Sequence, residues 1–121
     1  MAGDEPRVVA AFCNYLKGHG WDLAEDSGDC DIVAARSGQA LYVEVKGDAG
    51  DFGTDLDIAY GQILRRMTDL SACFAVVVPT KGVTAALRVP AAVRERLNIH
   101  VYEVSDAGTV RCVGPDGSNP L

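Results

Sequence analysis

The sequence predicts a single α/β domain with a mixed central sheet flanked by helices, and three observations predict it. Apolar residues recur at helical spacing in residues 4–17 and again in residues 55–69. Between these helices lie three short segments rich in β-forming residues, separated by turn signals. A continuous apolar run follows at 74–78 and is typical of a strand buried on both faces. The order is therefore α-β-β-β-α-β, followed by a further α-β-β.

The ends of the first helix are marked by residues with known positional preferences. Asp4 can cap the start, and Pro6 fits the first turn, where no backbone N–H is required. Gly18 and Gly20 end the helix, because glycine readily leaves the helical conformation.

Short turns connect the first three predicted strands, residues 21–25, 31–36 and 41–46. Ser27–Gly28 and the segment 37–39 are turn signals, so these strands should be antiparallel. The helix at 55–69 then crosses over and makes the next strand parallel to the third.

Helix caps, apolar runs and turn residues predict the secondary structure of the second half of the chain. Thr54 and Asp57 resemble a capping box at the start of the second helix. The remaining predicted segments, in chain order, are a loop at 79–88, a helix at 90–97, strands at 99–104 and 109–113, and a disordered tail. One domain over residues 1–113 with a tail at 114–121 is the resulting organisation.

Length, charge and cysteine spacing indicate which class of protein this is. The chain has 121 residues and a net charge of −6, and no apolar run is long enough to cross a membrane. The N-terminus does not have the pattern of a signal peptide, so we expect a cytoplasmic protein that does not contact membranes. The four cysteines have no metal-ligand spacing and are expected to be thiols rather than disulfides: Cys13, Cys30, Cys73 and Cys112.

Polar residues on the third strand indicate a metal site. Glu44 and Lys46 lie on one face of that strand, and both are costly to desolvate without partners. Asp31 begins the preceding strand and should approach Glu44 across the antiparallel pair. Converging carboxylates favour a cation between them, and oxygen ligands suit Mg²⁺ or Mn²⁺. The carbonyl of Val45 could add a ligand, and Lys46 could orient an attacking water.

The segment DCDIVAARSGQALYVEVKG, residues 29–47, resembles the motif of the PD-(D/E)xK nuclease superfamily. The α-β-β-β-α-β order is similar to the core of that restriction-endonuclease-like fold. The resemblance covers residues 4–104 and implies that Asp31 and Glu44 bind the metal while Lys46 assists hydrolysis. Cys30 stands where the motif name has proline, a position that varies in the superfamily.

Further residues are assigned by weaker similarity. Glu5 lies where small Holliday-junction-resolvase-like nucleases carry a metal-site glutamate, although an acid at a helix start is also common for structural reasons. Gln62, in AYGQILRRM, matches a glutamine that many members of the superfamily have after E-x-K, but it could equally be a solvated helix residue. Arg65 and Arg66 are candidate phosphate contacts on the same helix.

Two functions from different classes remain open at this stage. The first is a divalent-metal-dependent nuclease acting on nucleic acid, expected to be DNA, with a homodimer or a protein partner supplying specificity. The second is a nuclease-fold binding module without catalysis in a repair, mobile-element or defence system, which the acidic net charge favours. A third reading is a generic α/β domain whose E-x-K is accidental, and a structure in which Asp31 and Glu44 do not converge would establish it.

Overall fold

The computed structural model describes residues 4–24, 31–47, 51–114 and 121. Within these ranges six strands form a single sheet in the order β1-β2-β3-β4-β5-β6. The strands are β1 (Asp22–Leu23), β2 (Ile32–Arg36), β3 (Gln39–Val45), β4 (Cys73–Pro79), β5 (Ile99–Val104) and β6 (Val110–Gly114). The helices are α1 (Asp4–Gly18), α2 (Phe52–Arg65), α3 (Val83–Ala86) and α4 (Ala91–Leu97), with a 3₁₀ turn at Thr80–Gly82 before α3.

The sheet is mixed, as the sequence predicts. β1, β2 and β3 pair antiparallel, β3, β4 and β5 pair parallel, and β6 returns antiparallel to β5. The parallel pairs are the ones whose connection contains a helix, because a parallel neighbour can be reached only by a crossover. The predicted α-β-β-β-α-β core is confirmed.

The β2–β3 hairpin fixes the register of the strands that carry the predicted metal ligands. Ser37 and Gly38 form a two-residue turn with φ angles of 53° and 80°, the left-handed geometry whose twist matches the flanking strands. Pairing from this turn places Ile32 opposite Val43. One step further along, Asp31 faces Glu44.

Both faces of the sheet are covered, so the sheet has a core on each side. Val8, Phe12 and Leu16 of α1 pack on one face, against apolar side chains that include Val43 and Val45. The apolar stripe of α2 packs on the other face with residues of α3 and the alternate side chains of β4: Leu56, Ala59, Tyr60, Ile63, Ala86, Phe74, Val76 and Val78. Every residue of β4 is buried, as expected for a continuous apolar strand in the middle of a sheet.

Two predictions about the segments flanking β4 are wrong. α2 begins at Phe52, because Asp51 rather than Thr54 is the cap, and its carboxylate accepts the Thr54 N–H at 3.3 Å. α2 also ends at Arg65, short of the predicted residue 69. The segment 79–88 is helical in part, since Pro79 completes β4 and the chain then turns through a 3₁₀ turn into α3. The apolar residues of this short segment complete the core beneath α2, which local turn signals do not reveal.

Removing the Asp51 cap is expected to loosen the start of α2. Hydrogen bonds from Thr54 lower the pKa of Asp51, so the charged form stabilises the folded state above the unfolded pKa and this contribution is lost as the pH falls. Asp51→Ala should lower the Tm by a few degrees at pH 7, and the difference from wild type should narrow in acid. Asp51→Asn is the control, because asparagine also caps helices but does not titrate. An equal loss in Asp51→Asn at neutral pH would contradict a capping role.

The ends of the chain and the cysteines complete the comparison. None of the helices in the described ranges is long and apolar enough to cross a membrane. Cys13, Cys73 and Cys112 are free thiols, as predicted, whereas Cys30 lies outside the described residues.

The predicted tail is described only at Gly114, which ends β6, and at Leu121, which is buried and whose carbonyl accepts the Trp21 Nε1–H at 3.2 Å. Residues 115–120 lie outside the described residues, so the prediction of disorder is untested there.

Candidate metal centre

The Asp31 side chain lies at the carboxyl end of β3. Its Oδ2 accepts the backbone N–H of Val45 at 2.7 Å. The β2–β3 ladder runs from the turn only as far as Ile32 and Val43, so the Val45 N–H lies beyond its last pair. The carboxylate of Asp31 takes the place of a strand neighbour there, and one oxygen is thereby fixed while the exposed group keeps further lone pairs available.

Hydrogen-bond direction places the Val45 carbonyl beside the same carboxylate. In an antiparallel strand the N–H and C=O of one residue point to the same side. The Val45 N–H points toward β2, where Asp31 accepts it, whereas the Lys46 N–H points the other way and donates to Val77 of β4 at 3.0 Å. The Val45 carbonyl therefore also points toward Asp31, and its role as a ligand stays a prediction.

Glu44 is the buried carboxylate of this site. It faces Asp31 in a non-hydrogen-bonded pair, the type in which side chains are closest, with Cα atoms about 4.5 Å apart. Glu44 pairs with Val76 on its other side and is only 2% exposed. A carboxylate at this depth is stable only with hydrogen bonds or positive charge around it. The register brings Asp31 and Glu44 opposite each other, so the observation that would have established an accidental E-x-K is not made.

Lys46 continues β3 by one residue beyond the assigned strand. Its backbone N–H extends the parallel ladder to Val77, so the alternation of side chains continues and Lys46 shares a face with Glu44. The side chain is half-buried and so has access to solvent. The strand thus presents a buried acidic side chain and an accessible basic side chain on the same face.

Glu5 reaches the site from the far end of the sequence. Its Oε1 accepts the Gly47 N–H at 3.4 Å, a long hydrogen bond. A Cβ on Gly47 would lie 2.4 Å from the Glu5 Cα, so α1 contacts the chain directly after E-x-K and only glycine fits there. The tertiary structure therefore brings Glu5 to this edge of the sheet.

Within the described ranges, no group of three His, Cys, Asp or Glu side chains is close enough to hold a metal ion. Glu5 bonds to a backbone amide instead of completing a cluster with Asp31 and Glu44. Asp29, two residues before Asp31, lies outside the described residues. The site therefore offers two carboxylates and a carbonyl, and the metal role of Glu5 stays a prediction.

Of the residues predicted on α2, Arg65 and Arg66 lie at its far end. α2 starts at the same edge of the sheet as Lys46. It has 14 residues, which is about 21 Å of helix, so Arg65 and Arg66 lie toward the opposite edge of the sheet. Gln39, at the start of β3, donates to the Ser71 carbonyl at 3.3 Å and confirms that the chain after α2 is at that opposite edge. Gln62 is half-buried, and its Oε1 has no hydrogen-bond partner among the described residues.

Two basic residues near the site were not predicted. Lys81 follows β4 at the same edge as Lys46, and it lies close enough to Asp4 to help lower the pKa of that carboxyl, after the larger effect of Arg7. The Nη1 of Arg88 lies 2.8 Å from the position that a Cβ on Gly53 would occupy, at the start of α2. The parallel order of β3 and β4 could have indicated Lys81, because the carboxyl ends of parallel strands share an edge. Nothing in the sequence places Arg88.

A third acid on this edge has a structural role. Glu103, at the end of β5, accepts two hydrogen bonds from Arg111 at 2.6 and 3.0 Å. Hydrogen bonds from Thr80 and then Arg111 hold its pKa below the usual range. Its charge is thus balanced within the protein by Arg111.

Solved structures provide the comparison with known proteins, since no family model and no curated protein matches the sequence. One is a crystal structure of an XisH family protein from Nostoc punctiforme, with a TM-score of 0.64 and 16% identity over 89% of this chain and 99% of that chain. The chain shares the fold of that protein. A second such structure, of an fdxN element excision controlling factor protein from Anabaena variabilis, has a TM-score of 0.63 and 18% identity over 90% of this chain and 99% of that chain.

The shared fold agrees with the fold class predicted from the sequence. The likeness covers nearly the whole of both chains. At 16% and 18% identity it establishes the fold alone. The function has to be argued from the site.

Proposed function

We propose that this chain is a divalent-metal-dependent nuclease that hydrolyses phosphodiester bonds of DNA. The observation that carries the proposal is the Asp31 carboxylate held on the Val45 N–H at 2.7 Å, directly opposite the buried Glu44. Two acids placed side by side on adjacent strands repel each other, and a cation between them removes that repulsion. The arrangement is difficult to explain as a device for stability alone.

The donor set fits a hard divalent cation. Asp31 and Glu44 supply carboxylate oxygens, and Val45 supplies a carbonyl oxygen directed toward Asp31. Mg²⁺ commonly binds through one or two carboxylates and keeps several waters, so a third acid is not required. A cation bound here would supply a water of lowered pKa and a positive charge beside the scissile phosphate.

The protein's own residues determine where the reaction takes place. The Val45 N–H orients the Asp31 carboxylate, and burial fixes Glu44. Both carboxylates are therefore in position before a cation binds. The half-buried Lys46 can donate hydrogen bonds to a phosphate oxygen or orient the attacking water. Lys81 and Arg88 lie near Asp4 and Gly53 and could contact the nucleic-acid backbone, which would compensate locally for the net charge of −6.

DNA is favoured over RNA as the substrate. One structural neighbour is described as an excision controlling factor, and excision is a reaction of DNA. The small size of the domain leaves little surface for reading sequence, so we expect recognition of DNA structure, or specificity supplied by a protein partner.

Replacing Lys46 should slow cleavage without weakening metal binding. Lys46→Met keeps the length and apolar stem of the side chain but removes the charge, and we expect a loss of about 10²–10³-fold in the cleavage rate. Single-turnover cleavage and calorimetric titration with Mn²⁺ measure the two properties separately. Lys17→Met, on the exposed last turn of α1, is the matched control and should cleave at the wild-type rate. Loss of Mn²⁺ binding in Lys46→Met would contradict this assignment.

A catalytically silent DNA-binding module is the second candidate, and one observation favours it. The described residues bring only two carboxylates together in a chain that carries a net charge of −6. A panel of single-stranded, duplex, flapped and four-way DNA, with RNA beside it, should be incubated with the protein in Mg²⁺ or Mn²⁺. Cleavage supports the nuclease, whereas binding without cleavage of any substrate supports the module.

A further inference from the structure

A pocket on the side of the sheet that α1 covers holds the side chain of Leu121. This side chain is 3% exposed and lies in the core between α1 and the sheet. The Leu121 backbone oxygen accepts two hydrogen bonds, from the Trp21 Nε1–H at 3.2 Å and from the Arg36 Nη1–H at 2.9 Å. A further hydrogen bond, between the Leu121 backbone and the Tyr102 hydroxyl, partly offsets the raised pKa that burial gives this tyrosine. Trp21, Arg36 and Tyr102 are called the Trp21 pocket below.

Contacts within the body of the domain hold the Trp21 pocket in shape. The Arg36 guanidinium lies over the Trp21 ring, 4.2 Å from the ring centroid. Arg36 Nη1 also donates to the His19 carbonyl at 2.8 Å, which ties the end of β2 to the turn after α1. These two contacts of Arg36 do not involve Leu121. A binding site that is preorganised in this way loses little side-chain entropy when its ligand arrives.

Leu121 enters this pocket as a single residue. It belongs to no helix or strand, and the nearest described residue before it in the chain is Gly114, at the end of β6. Apolar packing alone would not require an indole N–H and a guanidinium N–H on the same backbone oxygen. The pocket therefore recognises a leucine side chain together with its backbone oxygen. A leucine in any extended segment offers the same atoms, whichever chain carries it.

We propose that the Trp21 pocket is a docking site for a partner protein that presents a leucine in an extended segment, and that Leu121 is an intramolecular competitor for this site. A single docked residue can be released without unfolding a helix or a strand, so the domain can exchange Leu121 for the leucine of the partner. A tethered competitor acts at an effective concentration in the millimolar range. A partner therefore has to add contacts around its leucine in order to displace Leu121.

The Trp21 pocket is remote from the candidate metal centre. Arg36 ends β2 beside the hairpin turn, whereas Asp31 precedes the other end of that strand. The docking site therefore does not depend on the proposed function, and a protein that cleaves no DNA could still bind a partner here.

A titration tests the docking site, with a peptide of the sequence of residues 115–121 as the probe. Leu121→Ser removes the apolar side chain that fills the pocket and should leave the pocket open. Trp21 is the single tryptophan of the protein, so intrinsic tryptophan fluorescence reports on this pocket alone. Emission from Leu121→Ser should shift to longer wavelength, because water reaches the indole, and added peptide should reverse the shift. We expect a Kd of roughly 0.1–1 mM, as for a ligand with one anchoring residue.

Matched comparisons show whether the peptide binds in the pocket. The wild type should bind the peptide about tenfold more weakly than Leu121→Ser does, because its own leucine competes. Leu70→Ser is the control, since Leu70 is 75% exposed and lies outside the pocket, and it should behave as the wild type does. Arg36→Gln, introduced into Leu121→Ser, removes the guanidinium that bonds the leucine oxygen and should weaken binding about tenfold. A peptide in which serine replaces the leucine should not bind.

Other results would overturn the proposal. A folded Leu121→Ser protein that binds no peptide up to roughly 5 mM would show that Leu121 is part of the fold and not an exchangeable occupant. Equal affinity of the wild type and Leu121→Ser would place the peptide elsewhere on the surface. Sedimentation velocity distinguishes a further case: a wild type that dimerises while Leu121→Ser stays monomeric would show that the pocket takes Leu121 from a second copy instead of a partner.

Circular dichroism establishes whether the variants are folded. If Leu121 is a separable occupant, Leu121→Ser should keep the far-UV spectrum and the cooperative unfolding of the wild type. Leu121→Ala opens the pocket less, because alanine keeps a small apolar side chain, and its affinity for the peptide should lie between those of the wild type and Leu121→Ser. Loss of the folded state in both variants would contradict the proposal, because Leu121 would then be indispensable to the core.

Discussion

Asp31→Asn should reduce DNA cleavage by about 10³-fold or more, which corresponds to several kcal/mol of transition-state stabilisation. Asparagine has a carbonyl oxygen that can accept the Val45 N–H, so the contact that positions the side chain is retained. What the substitution removes is the negative charge, and with it one of the two carboxylates available to a cation. The cleavage rate and the affinity for Mn²⁺, measured by calorimetric titration, should therefore fall together, while the Tm changes little.

The matched control for this variant is Asp22→Asn. Asp22 is an exposed aspartate on β1, the neighbouring edge strand, and it pairs with Ala35 near the hairpin turn, at the opposite end of β2 from Asp31. It should bind metal and cleave DNA as the wild type does. If Asp31→Asn cleaves at the wild-type rate, the proposed metal centre is wrong. If the wild type cleaves no substrate but binds DNA, the binding module is the better description.

Gly47→Ala should have the largest effect on stability among the variants described. An alanine Cβ at this position would lie 2.4 Å from the Glu5 Cα and 2.7 Å from the Glu5 backbone N, and neither atom can rotate away. The first turn of α1 must then separate from the end of β3. We expect a loss of about 3 kcal/mol, in the upper part of the range for overpacking, and a Tm lower by roughly 10 °C.

Gly18→Ala separates this clash from a general effect of replacing glycine. A Cβ on Gly18 meets nothing within 4 Å, so the variant should match or slightly exceed the stability of the wild type. Thermal unfolding followed by circular dichroism measures both variants. A Gly47→Ala protein as stable as Gly18→Ala would show that α1 is not seated against the E-x-K strand in the way described.

The amino-acid sequence determined the parts of this protein that depend on short-range chemistry. Helical spacing of Val8, Phe12 and Leu16 predicted α1, and the turn at Ser37–Gly38 set the hairpin register. Strand alternation then placed Glu44 and Lys46 on one face, without reference to any distant element. These features follow from periods of 3.6 and 2 residues and from turn geometry, all of which operate over a few neighbouring positions.

Only the tertiary structure decided which distant residues join that site. The contact between Glu5 and Gly47 spans 42 residues and depends on how α1 packs across the sheet. Arg88 reaches the start of α2 because a segment read as a loop folds into α3 and completes the core there. The same packing carries Arg65 to the far edge. Packing free energy of this kind is summed over many side chains from different elements, so no local pattern in the sequence encodes it.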